Sequence, residues 1–229
     1  MIVSGAGEIR CTDFVGERVF FCVMMTRRLL LAWPAALLAR ADESWESRRF
    51  PDWDRDVADR LLTASPWARE VKVPFRQPFQ AAGRAGSVAT SVDLTVRWGS
   101  ALPVRQASAI ALGLESRAGK KLLATEPREY VLELAGFPAS VVRDSKAFEK
   151  ELAATAVLTA KGRKALTAVS ATVPEFGNYL MAEVRFARDA AITLEDGEIE
   201  FAAAVLGGAM KIRARFPLKA MVYGGRLEL

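Results

Sequence analysis

The residues best equipped for chemistry in this chain are Arg97, Trp98 and Arg105, with Ser100 and Pro103 between them. Ser100 can cap a helix and Pro103 fits its first turn, so the two arginines flank a helix N-terminus. Such a terminus presents unpaired N–H groups and partial positive charge to anions, and an exposed tryptophan stacks on sugars or aromatic rings. Arg97, Trp98 and Arg105 are therefore the candidate ligand-binding residues. A packing role competes for the ring, because Trp98 continues the alternation of Val92, Leu94 and Val96 along the buried face of a strand. Arginines that are solvated or bind ligand would tolerate alanine with little loss of stability.

Two other runs resemble binding motifs and depart from them. Asp52, Asp54 and Asp56 have the alternate spacing that opens an EF-hand loop, but Val57 stands where the loop needs Gly and Thr63 where it needs a bidentate Glu. They read instead as carboxylates at the positive end of a helix. Gly83-Arg84-Ala85-Gly86 lacks both the lysine of a phosphate loop and the third glycine of a dinucleotide fingerprint.

The elements that hold these residues follow from periodicity and punctuation. Asp52 caps a helix with the stripe Trp53, Val57, Ala58, Leu61 and Leu62, which stops before Pro66. Val71 to Phe75 reads as a short strand and Gln77 to Ser87 as a loop. Val92 to Trp98 is a strand, followed by a helix from Ser100 to about Leu114 with Val104, Ala107, Ala111 and Leu114 as its buried stripe. Tyr130, Leu132 and Leu134 mark another strand, and Ser145 to Ala153 a short helix. Beyond Thr155 apolar runs alternate with Lys161-Gly162-Arg163, Asp196-Gly197, Gly207-Gly208 and Gly224-Gly225, each a hairpin signal. The predicted fold class is α+β: an antiparallel β-meander, a twisted sheet or partly closed barrel, with N-terminal helices packed on it. Trp45, Trp53 and Trp67 form either a surface aromatic patch or a cover over one end of the core.

The N-terminal region predicts export. Arg27 and Arg28, the apolar run Leu29 to Leu38 and the A-x-A site Ala39-Arg40-Ala41 follow the order of a cleavable signal peptide over residues 25–41, with Ala39 and Ala41 as the cleavage-site residues. A membrane anchor fits less well, since Arg27 and Arg28 would lie mid-span. Glu8, Asp13 and Glu17 are an odd prelude to a signal peptide, so residues 1–24 read as an extension upstream of a start at Met24 or Met25. The sequence leaves open whether the route is general secretion or the twin-arginine pathway. After cleavage a single domain, 42–229, remains, with no stable membrane span and with Asp42 to Phe50 as a flexible arm.

This division decides which chemistry survives. The chain has no histidine, and its two cysteines, Cys11 and Cys22, precede the cleavage site. Histidine and cysteine catalysis and His/Cys metal sites are thereby excluded from 42–229, and no cofactor and no metal site is expected. Net charge is +5 overall. The first 41 residues hold five basic and three acidic side chains, so the domain carries +3, too little and too evenly spread for nucleic-acid binding. Two function classes remain: an exported non-enzymatic binding or structural module whose partner is an envelope protein or small ligand, and a carboxylate-dependent hydrolase acting on envelope polysaccharide.

Four segments, "RLLTASPWA" (Arg60 to Ala68), "VRWGSALPVRQA" (Val96 to Ala107), "YVLELAGFP" (Tyr130 to Pro138) and "FPLKAMVYGGRLEL" (Phe216 to Leu229), resemble an uncharacterised family of small exported acidobacterial proteins. The resemblance implies export and a shared fold. That family has no assigned activity, so no catalytic residue carries over.

Overall fold

The structure, a computed structural model, describes residue 45 and residues 48–81, 84–139, 141–142, 144–176 and 179–229. The predicted extension 1–24 and the predicted signal segment 25–41, with Ala39 and Ala41, lie outside the described residues.

Helix α1, Arg55–Thr63, starts where the Asp54 carboxylate accepts the N–H of Val57 at 2.8 Å. Asp54 is thus the cap, two residues beyond the predicted Asp52. Val57, Ala58, Leu61 and Leu62 are buried, as their spacing predicts, and the chain leaves the helix before Pro66. Strands β1, Ala68–Ala81, and β2, Arg84–Trp98, then pair antiparallel from Ala68 opposite Arg97 to Ala81 opposite Arg84. The predicted loop over Gln77 to Ser87 is therefore strand on both sides of the turn. Pro74 and Pro78 do not prevent this: an even number of residues apart, they direct their missing N–H groups to the same side, away from β2, where an outer strand tolerates proline.

Two helices follow, α2 at Leu102–Leu112 and α3 at Arg117–Ala124. Sequence periodicity misses α3, which has only 8 residues and contains Gly119. That glycine is sterically required, because a Cβ there would collide with the carbonyl oxygen of Gly113 in the turn between the helices. On α2 the buried positions are Pro103, Val104, Arg105, Ala107 and Ala109. Ala111 is exposed and Leu114 half-buried, so the predicted stripe fails in its second half.

The remaining elements are β3 (Glu129–Pro138), α4 (Ser145–Thr155), β4 (Val157–Ala160), β5 (Leu166–Thr172), β6 (Glu175–Phe176), β7 (Tyr179–Ala187), β8 (Glu198–Val205), β9 (Met210–Pro217), β10 (Val222–Tyr223) and β11 (Arg226–Leu227). β3 covers the predicted Tyr130, Leu132 and Leu134, and α4 runs on to Thr155 from the predicted start at Ser145. Strands pair antiparallel in the order β1-β2-β3-β7-β5-β4-β8-β9, with β6 against β7 and β10–β11 a separate hairpin. The outer strands come together: Arg69 of β1 donates Nε to the carbonyl of Arg215 at 3.1 Å and lays its guanidinium over the Phe216 ring of β9. The result is an α+β fold with an antiparallel, nearly closed barrel, its interior filled by side chains from alternate positions. Gly162, Gly207-Gly208 and Gly224-Gly225 occupy hairpin turns. Asp196-Gly197 does not, since β7 and β8 are not neighbours and Asp196 ends a short 3-10 turn capped by Thr193.

Trp98, Leu132, Leu134, Phe186, Phe201 and Phe216 are fully enclosed in this interior. At one end Trp45 packs edge-on to Trp67, and Tyr223 meets both Trp53 and Trp67. Trp53 and Trp67 are buried, so these rings cover the core. The stretch before α1 is tied down as well: Arg48 pairs with Asp54 at 2.8 Å, and Trp53 donates to the Arg48 carbonyl. Helix α4 fixes the other strands with backbone contacts, Glu149 accepting the N–H of Val173 and Glu151 those of Leu206 and Gly207. No helix among the described residues is long and apolar enough to cross a membrane.

Candidate functional site

The period-2 geometry of β2 sends neighbours to opposite faces. Trp98 points inward, fully buried, with Tyr130 and Phe216 edge-on at 5.8 and 5.9 Å. It offers a ligand no surface and is a core residue. Arg97 points outward and bonds Glu133 of β3 at 2.5 Å, with both side chains about 15 % exposed.

Ser100 does not cap α2. Its hydroxyl accepts the N–H of Val131, tying the start of the helical pair to β3. The first turn of α2 receives instead the carboxylate of Glu228, which accepts the N–H of Leu102 at 3.4 Å from the far end of the chain. The anion predicted at this helix terminus is thus supplied by the protein itself. Arg105 is 8 % exposed and donates to the carbonyls of Leu122, Leu123 and Thr125, the last turn of α3. Those groups have no partner within their own helix, so a buried guanidinium is a natural cap. Burial pushes the Arg105 pKa down from its ordinary value, with Glu228 and Glu126 acting against that shift. Arg105 is a structural cap, and the expectation that alanine is tolerated there is reversed.

The predicted cluster is thus divided between interior, outer sheet face and helix end. What the structure assembles beside it is a cleft of roughly 380 Å³ between the α2–α3 pair and the outer face of β3 and β7. Leu112, Ala118, Leu122, Pro127 and Val131 form its apolar walls, and Glu133, Glu183 and Arg185 its charged floor, with Arg105 and Lys121 on the helical side. Glu133 and Glu183 stand directly opposite each other on β3 and β7. Each has its own cation: Arg97 for Glu133, and Arg185 for Glu183 at 2.7 Å, with Glu129 a further 3.7 Å contact of Arg185. Gly99 makes room for this arrangement, since a Cβ at that position would fall 2.5 Å from the Glu133 Oε1.

Sequence reasoning missed the floor because its residues come from separate strands. The available signal was local: Glu133 interrupts Leu132 and Leu134, while Glu183 and Arg185 alternate with the buried Ala182, Val184 and Phe186. Alternation identifies an outward face but not the neighbouring strand. Asp52, Asp54 and Asp56 remain helix-start residues, and no group of three metal-ligating side chains is gathered among the described residues. No family model, no curated protein and no solved structure matches this chain.

Proposed function

We propose that this protein is an exported, non-enzymatic binding module that takes a small ligand in the cleft between the α2–α3 pair and the outer face of β3 and β7. One observation carries the reading: an open cleft of roughly 380 Å³ combines aliphatic walls with a few convergent charged groups, the composition of small-molecule sites. Leu112, 53 % exposed, adds an uncovered aliphatic side chain to the cleft wall. The signal-like segment ending at Ala41 and the resemblance to exported acidobacterial proteins support export. Processing between Ala41 and Asp42 would give a mature N-terminus at Asp42 on sequencing; a mature protein beginning before Met25 would overturn it.

The binding reading is tested with the neutral fluorophore N-phenyl-1-naphthylamine and the domain 42–229. Its emission should rise with the wild-type domain and stay low with Ala118→Trp, which places a large ring at an exposed position on the cleft wall. Equal enhancement by both proteins would overturn the assignment to this cleft.

One observation favours the second reading, a carboxylate-dependent hydrolase acting on envelope polysaccharide: Glu133 and Glu183 are opposed in register along the cleft floor. Paired carboxylates are what glycoside hydrolysis uses. Both are already engaged by arginines, which is why binding ranks first. Release of reducing ends from peptidoglycan by the wild type, lost in Glu183→Gln, would reverse the ranking.

A further inference from the structure

We propose that the ligand of this cleft is a single-chain aliphatic carboxylate, its chain lying along Leu112, Leu122 and Val131 and its anionic end at Lys121. The inference rests on the cleft being a binding site and adds the chemistry of what enters it.

The walls determine the apolar part. They contain aliphatic side chains and a proline but no aromatic ring, so they lack the flat surface on which a sugar or heteroaromatic ligand stacks. Methylene groups against Leu112, Leu122 and Val131 gain from leaving water, whatever their orientation about the chain axis. The volume, roughly 380 Å³, sits near the low end of small-ligand sites and suits one chain better than a two-chain lipid.

The charges determine the head group. Floor groups are satisfied among themselves, Arg97 by Glu133 and Arg185 by Glu183 and Glu129. Arg105 is buried and directs its Nε and Nη2 donors to helix carbonyls. Lys121, exposed on α3, has an ammonium with neither an ion-pair partner nor a hydrogen-bond acceptor among the described residues. A ligand ammonium would meet a floor whose carboxylates are already taken, whereas a carboxylate gains an unengaged ammonium.

The experiment is competition for bound N-phenyl-1-naphthylamine by decanoate, decylamine, decanol and vesicles of dioleoyl phosphatidylglycerol. Decanoate should displace the probe at the lowest concentration, and Lys121→Gln should weaken decanoate by about two- to fivefold, as for a solvent-screened charge pair, while leaving decanol unchanged. Equal displacement by decylamine, or decanoate binding indifferent to Lys121→Gln, would overturn the anion assignment while the cleft reading stands. Displacement by the vesicles but not by decanoate would overturn the free carboxylate in favour of a lipid surface. Failure of the wild type to take up the neutral probe would overturn both the cleft reading and this inference.

Discussion

Arg97 and Trp98 are adjacent in the chain, yet one belongs to an interior that admits nothing and the other to a surface that leaves room. Inside the barrel Trp98 meets Tyr130 and Phe216 and is fully buried. Outside, Arg97, Glu133, Glu183 and Arg185 cross the same strands as a ladder of ion pairs, bordered by apolar side chains that are not fully covered. The two faces follow different rules. Dispersion and burial fill the interior to the density of a solid, so every position there is determined by its neighbours. Charges on the outer face are balanced pairwise and leave volume above them unused.

The largest effect should come from the inner face. Trp98→Ala removes a wholly enclosed ring whose neighbours cannot close over the space, and is expected to cost about 3 to 5 kcal/mol in denaturant melts. A near-wild-type midpoint would break the comparison, because the core would then not depend on its largest central side chain. Arg105→Ala should come next, at about 1 to 3 kcal/mol, since three carbonyls at the end of α3 lose their donor. Hydrogen exchange localised to α3 would show that the loss arises at that helix end rather than in the barrel.

On the outer face, truncating Arg97 should cost less than truncating its neighbour Trp98. A double-mutant cycle of Arg97→Ala with Glu133→Ala is expected to give a coupling of about 1 kcal/mol, between that of exposed and of buried pairs. A coupling near zero would mean the ladder positions side chains without stabilising the barrel.

How much of this could be read from the chain divides along the same line. The interior was legible because a strand with one buried face writes its burial as alternation: Val92, Leu94, Val96 and Trp98, or Met210, Ile212, Ala214 and Phe216. Double glycines announced where β8 turns into β9 and β10 into β11. Strand order was not legible. A turn signal states that two runs are antiparallel neighbours, but β4 lies three places from β3 in the sheet, with β5 and β7 returning between them. The cleft depends on that return, because only the β3–β7 pairing brings Glu133 opposite Glu183. Arg105 was misread for a related reason: its place at the start of α2 suggested an anion site, while the carbonyls that take its donors belong to α3, a helix of only 8 residues that sequence periodicity misses. The far half of the long β1–β2 hairpin was hidden by Pro78, Gly83 and Gly86, which local rules treat as loop residues, although an outer strand accommodates the proline.

The smallest effect concerns a carboxylate held by a backbone N–H and by an exposed charge. Glu149 of α4 accepts the N–H of Val173 at 2.9 Å and pairs with Lys146 at 3.0 Å. The backbone hydrogen bond, and secondarily Lys146, hold its carboxyl below the usual range. In the unfolded chain Glu149 has neither partner and ionises near an ordinary pH of about 4.3. Between the two values the unfolded chain binds more protons, so stability rises with pH through that window. Its contribution is complete above the unfolded value and disappears as pH falls through the folded one. Glu149→Gln retains an oxygen that can accept from Val173 but cannot titrate. At neutral pH the variant should therefore lie within about 1 kcal/mol of the wild type, because Lys146 is exposed and solvent screens that pair. Below pH 4 the difference between the two proteins should shrink further, the wild type having lost what the variant never had. A difference that grows on acidification would show that the contact of α4 with the end of β5 depends on a neutral carboxyl, and that this part of the outer surface follows packing rules like those of the interior.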